Sequence, residues 1–251
     1  MTTFDLTGRA ALVTGAGQGV GLALARGLSG AGARVWVNDL DAGRAEEAAA
    51  SIGGDARPVV ADITDPDALR AMVHATGPVD VLVNNAGVPP GASQLTPFVA
   101  TTPEDWEPWI SLNLRATMMV THAYLPPMQE AGWGRILTIV SDAGRTGEPG
   151  QVVYGASKAA AMGFTRGLAV ETGRFGVTAN CIALGAIRHG LVAAFFDANP
   201  EAEAKGVRRY PVGRFGDPTD PVGLALVLCS EAGSWITGQV VPVNGGYTHA
   251  L

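Results

Sequence analysis

Tyr154 and Lys158 stand four residues apart at the start of an Ala-rich segment (Ala156, Ala159, Ala160, Ala161). On a helix the phenol and the ammonium then share one face, a turn apart. A free phenol titrates near pH ~10, and a cation held close by favours the phenolate and lowers that value. Such a phenol can take a proton from an alcohol as hydride leaves its carbon, or give one to a carbonyl as hydride arrives. Ser141 follows the apolar run Ile136 to Val140 and would close a buried strand, with a hydroxyl able to steady a carbonyl oxygen. The chain has 17 basic residues, of which only Lys158 and Lys205 are lysines. Keeping a compact ammonium four residues after a tyrosine is a use for which arginine is no substitute.

These side chains need a frame. The chain has 251 residues, 47% of them hydrophobic, with 34 Gly and a net charge of -6, which fits one globular domain. Met1 to Gly8 shows no basic-then-apolar run, so no signal peptide is expected, and no apolar stretch reaches membrane-spanning length. Cys181 and Cys229 have no metal-ligand spacing and apolar neighbours, which points to reduced core thiols, a cytoplasmic setting and no metal. Mild acidity without a basic cluster beyond Arg208-Arg209 argues against nucleic acid.

Strands and helices alternate. Strands are expected at Arg9 to Val13, Arg34 to Val37, Arg57 to Ala61, Val79 to Val83, Ile136 to Val140, Val177 to Ile182 and Gln239 to Val243. Between them lie helices through about Ala31, from Asp41 to Ser51 and from Asp65-Pro66. A long one from Thr102-Pro103 should end by Pro126-Pro127, another runs from Tyr154 to about Phe175, and a last follows Asp217-Pro218. Seven strands with helices between them call for a parallel α/β sheet covered on both faces, whose ligands bind beyond the strands' carboxyl ends. Residues 189–217, with an apolar patch at Leu191, Val192, Phe195 and Phe196 among charges, read as a lid over that site.

Thr14-Gly15-Ala16-Gly17-Gln18-Gly19-Val20-Gly21 lies between the first strand and the first helix, where a pyrophosphate can rest on free backbone N–H groups. Asp39 ends the second strand, where a carboxylate can accept from both hydroxyls of an adenosine ribose and would repel a 2′-phosphate. No cation stands at Gln18 or Leu40, although Arg44 is one turn further on. The cofactor expected is NAD, in preference to NADP.

In order along the chain, Thr14-Gly15-x-x-x-Gly19-x-Gly21, Asn84-Asn85-Ala86-Gly87, Asn113, Ser141 and Tyr154-x-x-x-Lys158 resemble the motifs of the short-chain dehydrogenase/reductases in their compact one-domain form. The resemblance extends to Val243-Asn244-Gly245-Gly246. It implies a doubly wound, Rossmann-type sheet and an enzyme moving hydride between nicotinamide and a secondary alcohol or ketone. Tyr154 would be the general acid/base, Ser141 the holder of the substrate oxygen and Lys158 the tuner of Tyr154 and ligand of the nicotinamide ribose. Asn113 would hold a water linking Lys158 to solvent, and Asp62 would accept from the adenine amino group. The dinucleotide would lie along Gly15, Gln18, Gly19, Val20, Asp39, Asp62, Ile63, Asn85, Ala86, Gly87, Tyr154, Lys158, Gly185 and Ile187. A homotetramer is also implied, built through the helices bearing Tyr154 and Asn113.

Two departures stand out. After the sixth strand the family has Pro-Gly and, four residues on, a Thr at the nicotinamide end; here Leu184 and His189 occupy those places. Residues around Pro89 to Ala100 are extra and are expected at the substrate rim. The stretch Ser141-Asp-Ala-Gly-Arg145-x-Gly with Val153-Tyr154 is similar to that of alicyclic hydroxyacyl-CoA dehydrogenases, which suggests a cyclic alcohol or hydroxyacyl thioester. Arg145, Arg208 and Arg209 would then be candidates for coenzyme A phosphates. The alternatives are an NADPH-dependent 3-oxoacyl-thioester reductase and a dinucleotide-binding regulator without catalysis. An epimerase would need a longer chain.

Overall fold

The computed structural model describes residues 4–91 and 95–249; Leu191 is placed in its helix, but its side chain lies outside the described set. The alternation expected from the sequence is present. Strands β1 (Ala10–Val13), β2 (Arg34–Asp39), β3 (Arg57–Val60) and β4 (Val81–Asn84) alternate with helices α1 (Gly19–Gly30), α2 (Ala42–Ile52) and α3 (Pro66–Thr76). Then come α4 (Pro103–Ile110), α5 (Thr117–Glu130), β5 (Gly134–Ser141), the short α6 (Ala143–Thr146), α7 (Val152–Thr172) and β6 (Val177–Leu184). The chain closes with α8 (Gly190–Ala198), α9 (Pro200–Val207), α10 (Val222–Cys229) and β7 (Val240–Val243). The seven strands form one parallel sheet in the order β3-β2-β1-β4-β5-β6-β7. The order reverses between β1 and β4, and a doubly wound sheet opens its ligand crevice at such a reversal.

Burial explains why these segments are strands. β1 and β4 are buried at every residue, and so is all of β6. One core cluster lies around Leu12, Leu82, Tyr124 and Met128, and another around Val13, Val35, Leu24 and Leu28. Asp41 and Asp65 cap α2 and α3, accepting from the backbone N–H of Arg44 and Asp67 respectively.

Two helical expectations are corrected. α5 does not stop at Pro126-Pro127 but runs through both to Glu130. A proline inside a helix costs about 3 kcal/mol, and burial of Tyr124 and Met128, each 1% exposed, offsets it at about 1.5–3 kcal/mol per large side chain. Ser111–Ala116, between α4 and α5, forms a π-helical turn. Within it the Asn113 carbonyl accepts from Thr117 Oγ1 at 2.9 Å. Residues 189–217, read from sequence as an unpatterned cover, hold two helices, α8 and α9, pinned by Arg188 to Asp197 and Glu203.

Candidate active site

The glycine-rich turn leaves β1 and enters α1 with no room for a side chain at Gly15 or Gly19. A Cβ on Gly15 would lie 2.9 Å from Ala86 Cα, and one on Gly19 2.7 Å from His189 Cδ2. Both have positive φ, which glycine adopts without strain. Gln18 makes no side-chain cap to α1 and no acid stands in the first turn, so the N-terminal N–H groups face the cleft with their positive end. Asn85 lines the cleft, as expected, and turns its side-chain amide inward. It donates to the carbonyls of Thr14 at 2.9 Å and Gly15 at 3.0 Å, and so braces the turn.

Asp39 closes β2, 5% exposed. Its Oδ2 accepts from Gly17 N–H at 3.1 Å. Its Oδ1 accepts from Asp41 N–H at 3.0 Å and from Arg44 Nη2 at 2.8 Å. Arg44 therefore reaches back to the carboxylate, and a cation stands where the sequence left open whether one would. Asp62 lies across the cleft with Oδ1 held by the Thr64 hydroxyl at 2.6 Å, beside the buried Ile63. A cleft of about 790 Å³ runs along Gly15, Gln18, Gly19, Val20, Asp39, Asp62, Ile63, Ala86, Gly87 and His189.

At Gly87 this cleft meets a second cavity of about 640 Å³, walled by Ser141, Tyr154, Lys158, Gly185 and Ile187. A Cβ on Gly87 would strike Lys158 Nζ and stand 2.8 Å from Asn113 Oδ1, so the three groups converge. Lys158 is 5% exposed and donates to the Ile139 carbonyl at 3.0 Å. Burial lowers its ammonium to about 8. The Tyr154 phenol, 5.9 Å from Lys158 Nζ at its ring centre, is raised above its ordinary value by burial and pulled the other way by its hydrogen bond with Ser141. The sequence led us to expect a phenol lowered by the ammonium; desolvation is the larger influence. Asn113, 1% exposed, leaves both Oδ1 and Nδ2 without a partner. Such buried polar atoms call for a water or a ligand. Together with the close-packed glycines of the turn, this donor and acceptor set fits a dinucleotide.

Backbone contact sets the spacing of Ser141 and Tyr154. A Cβ on Gly144 would lie 2.8 Å from Ala159 N, and one on Gly155 2.6 Å from the Ala143 carbonyl, so α6 and α7 touch main chain to main chain. Trp109, which the sequence reading did not single out, packs edge-on against Tyr154 at 5.2 Å between ring centres. Its place one turn before Asn113 was the available signal. Leu184, replacing proline, continues β6 in register opposite Ser141. His189, expected at the nicotinamide end, stands against Gly19 of the glycine-rich turn.

The cavity's other wall comes from Leu95, Val192, Phe196, Tyr210 and Phe215, with Glu148, Arg209 and Tyr247 at the rim. Leu95 belongs to the segment expected at the rim, of which residues 92–94 lie outside the described set. Arg145, offered from sequence as a phosphate contact, is not free: Nη1 donates to Asp142 Oδ1 at 2.7 Å in a buried ion pair. Arg209 ion-pairs with Glu148 at 3.5 Å and contacts the Tyr247 hydroxyl. Arg208 is exposed and is not part of the cavity wall. Among the described residues no cluster of His, Cys, Asp and Glu could hold a metal, and no helix is long and apolar enough to cross a membrane.

The family described as enoyl-(acyl carrier protein) reductase matches residues 15–248. The 3-oxoacyl-[acyl-carrier-protein] reductase of Aquifex aeolicus is 36% identical, over 96% of this chain and 98% of its own. The chain belongs to the short-chain dehydrogenase/reductase family. Gluconate 5-dehydrogenase of Gluconobacter oxydans is also 36% identical, over 99% of this chain and 98% of its own. A gluconate 5-dehydrogenase from Burkholderia cenocepacia, solved with NADP and tartrate, superposes with a TM-score of 0.90 at 32% identity, covering 99% and 98% of the two chains. Like its relatives, this short-chain dehydrogenase/reductase is a nicotinamide-dependent oxidoreductase acting on a secondary alcohol or ketone.

Proposed function

We propose that Tyr154 is the proton donor and acceptor of an NAD-preferring alcohol dehydrogenase whose substrate is a cyclic alcohol or a hydroxyacyl thioester. The observation that carries the reading is the meeting of Tyr154, Ser141, Lys158 and Asn113 where the two clefts join. The bound nicotinamide supplies or takes the hydride. Ser141 donates a hydrogen bond to the substrate oxygen, orienting it toward the phenol. Tyr154 moves the proton at that oxygen. Lys158 would hold a ribose hydroxyl and favour the Tyr154 phenolate by its charge, and Asn113 would hold the water that links Lys158 to solvent, through which the proton leaves. Gln18, Gly19 and Val20 would carry the pyrophosphate, Asp39 the adenosine ribose, Asp62 and Ile63 the adenine, and Gly185 and Ile187 the nicotinamide end.

Supporting an alicyclic or acyl substrate is the apolar, aromatic wall of Val192, Phe196 and Phe215. Residues 189–217, which carry that wall, act as the lid. One observation favours a second reading, oxidation of a polyhydroxylated acid as in the gluconate dehydrogenases: the Glu148, Arg209 and Tyr247 group at the rim could bind hydroxyls and a carboxylate. The reductive alternative, a 3-oxoacyl-thioester reductase, is compatible with the same site. Assembly as a homotetramer is supported by an apolar groove of about 1120 Å³ between α3, α5 and α7. A cytoplasmic setting is supported by two unpaired buried thiols, which burial pushes up to about 11 at Cys181 and about 12 at Cys229.

The test is a panel of cyclohexanol, gluconate and 3-hydroxybutyryl-CoA with NAD and NADP, read by reduced-nicotinamide absorbance. The reading expects the thioester or the cyclic alcohol to exceed gluconate in kcat/KM. Faster gluconate turnover would transfer the assignment to the second reading.

A further inference from the structure

The residue after the catalytic serine is an acid, and it is out of sight. Asp142 is 2% exposed yet belongs to the wall of the substrate cavity, one position from Ser141. Its two carboxylate oxygens are both engaged from the far side. Oδ1 accepts from Arg145 Nη1 at 2.7 Å, and Oδ2 accepts from Asn244 Nδ2 at 2.6 Å. Both donors are themselves anchored to Thr248: Arg145 Nη1 donates to Thr248 Oγ1 at 3.0 Å, and Asn244 Nδ2 lies 2.9 Å from the same hydroxyl. The Asp142 backbone N–H donates to the Leu184 carbonyl at 3.0 Å, so main chain and side chain are fixed together.

We propose that Asn244 and Thr248, in the segment after β7, are positioning residues that act through Asp142 to hold Ser141 in its reactive orientation. Two physical consequences follow from the contacts. The held carboxylate and the Asp142 N–H bond to Leu184 restrain the backbone that presents Ser141, whose Oγ accepts from the Ala143 N–H at 3.2 Å. Each carboxylate oxygen, already engaged by Arg145 or Asn244, also competes less with the substrate oxygen for a hydrogen bond from Ser141 or Tyr154 than a free acid in the cavity would. Misplacing a reacting group by about 1 Å can lower a rate about 100-fold, and a lost latch should act on that scale. This inference rests on the reading of Ser141 given above.

The test uses Asn244→Ala and Thr248→Val, each alone and in a Ser141→Ala background, assayed with the fastest of cyclohexanol, gluconate and 3-hydroxybutyryl-CoA. Cofactor Kd, from reduced-nicotinamide fluorescence, and Tm are measured alongside. Asn244→Ala should lower kcat about 10- to 100-fold, and Thr248→Val less, with cofactor Kd and substrate KM within about twofold of wild type. In the Ser141→Ala background either change should lower kcat by less than about twofold, because its effect passes through the serine. Equal losses in both backgrounds would make the network merely structural and overturn the proposal, as would wild-type kcat in Asn244→Ala. If Asn244→Ala does not fold, Thr248→Val carries the same comparison. Wild-type kcat in Ser141→Ala alone would instead refute the role of Ser141.

Discussion

At the scale of single residues, the chemistry of the site is divided among groups whose environments push them in different directions. Burial lowers Lys158 to about 8 and raises the Tyr154 phenol. The first proton to leave the pair as pH rises is therefore the ammonium's, and the amine left behind can receive a proton arriving through Tyr154. Alcohol oxidation should rise with pH through about 8 while carbonyl reduction falls; a flat oxidation profile between pH ~7 and ~9 would contradict this ordering. Asp39 carries the second residue-scale prediction. Its carboxylate should prefer NAD at least about tenfold, which needs ~1.4 kcal/mol, and its ion pair with Arg44 should moderate that preference. In kcat/KM with both cofactors, Arg44→Ala should widen the gap, and equal values in the wild type would show Asp39 misread. The motif residues were legible because each carries its chemistry in its type and spacing. The Asp142–Asn244 and Arg145–Thr248 contacts were not, since they join residues a hundred positions apart and no local pattern marks them.

At the scale of elements, strands were legible as apolar runs because both faces of this sheet are covered. Helix ends were less so. Pro126-Pro127 reads locally as a stop, and only the burial of Met128, supplied by distant strands, carries α5 past it. The inward turn of Asn85 was hidden for the same reason: its partners are on the loop after β1. The packing of α6 on α7 yields a prediction. Gly155→Ala should favour the isolated helix by up to ~1 kcal/mol, yet its Cβ would stand 2.6 Å from the Ala143 carbonyl and push α6 away. We expect a lower Tm and at least about tenfold lower kcat, as Ser141 moves from Tyr154. A Tm at or above wild type with full activity would show that α6 yields without consequence.

At the scale of the molecule, the strand order brings the turns after β1 and β4 side by side and places Ser141, at the end of β5, next to them. The alternation of elements in the sequence was enough to anticipate a parallel sheet with Ser141 at a strand's carboxyl end, but not the strand order. It could not anticipate the apolar groove between α3, α5 and α7, where Gly163 and Gly167 have open space beside them. If four chains assemble through this face, light scattering at micromolar concentration should return a tetramer, and Gly163→Trp should reduce the mass. A wild-type monomer would refute the assembly.

The measurement closest to the central claim is steady-state turnover by Tyr154→Phe, with NAD binding followed by calorimetry on the same sample. Removing only the phenolic oxygen should abolish measurable oxidation and reduction at every pH. NAD affinity should stay within a few-fold, because the ribose and pyrophosphate contacts proposed above lie along the cleft from Gly15 to Asp62. A folded Tyr154→Phe enzyme that binds NAD and still turns over substrate at a substantial fraction of the wild-type rate would show that the proton travels by another route.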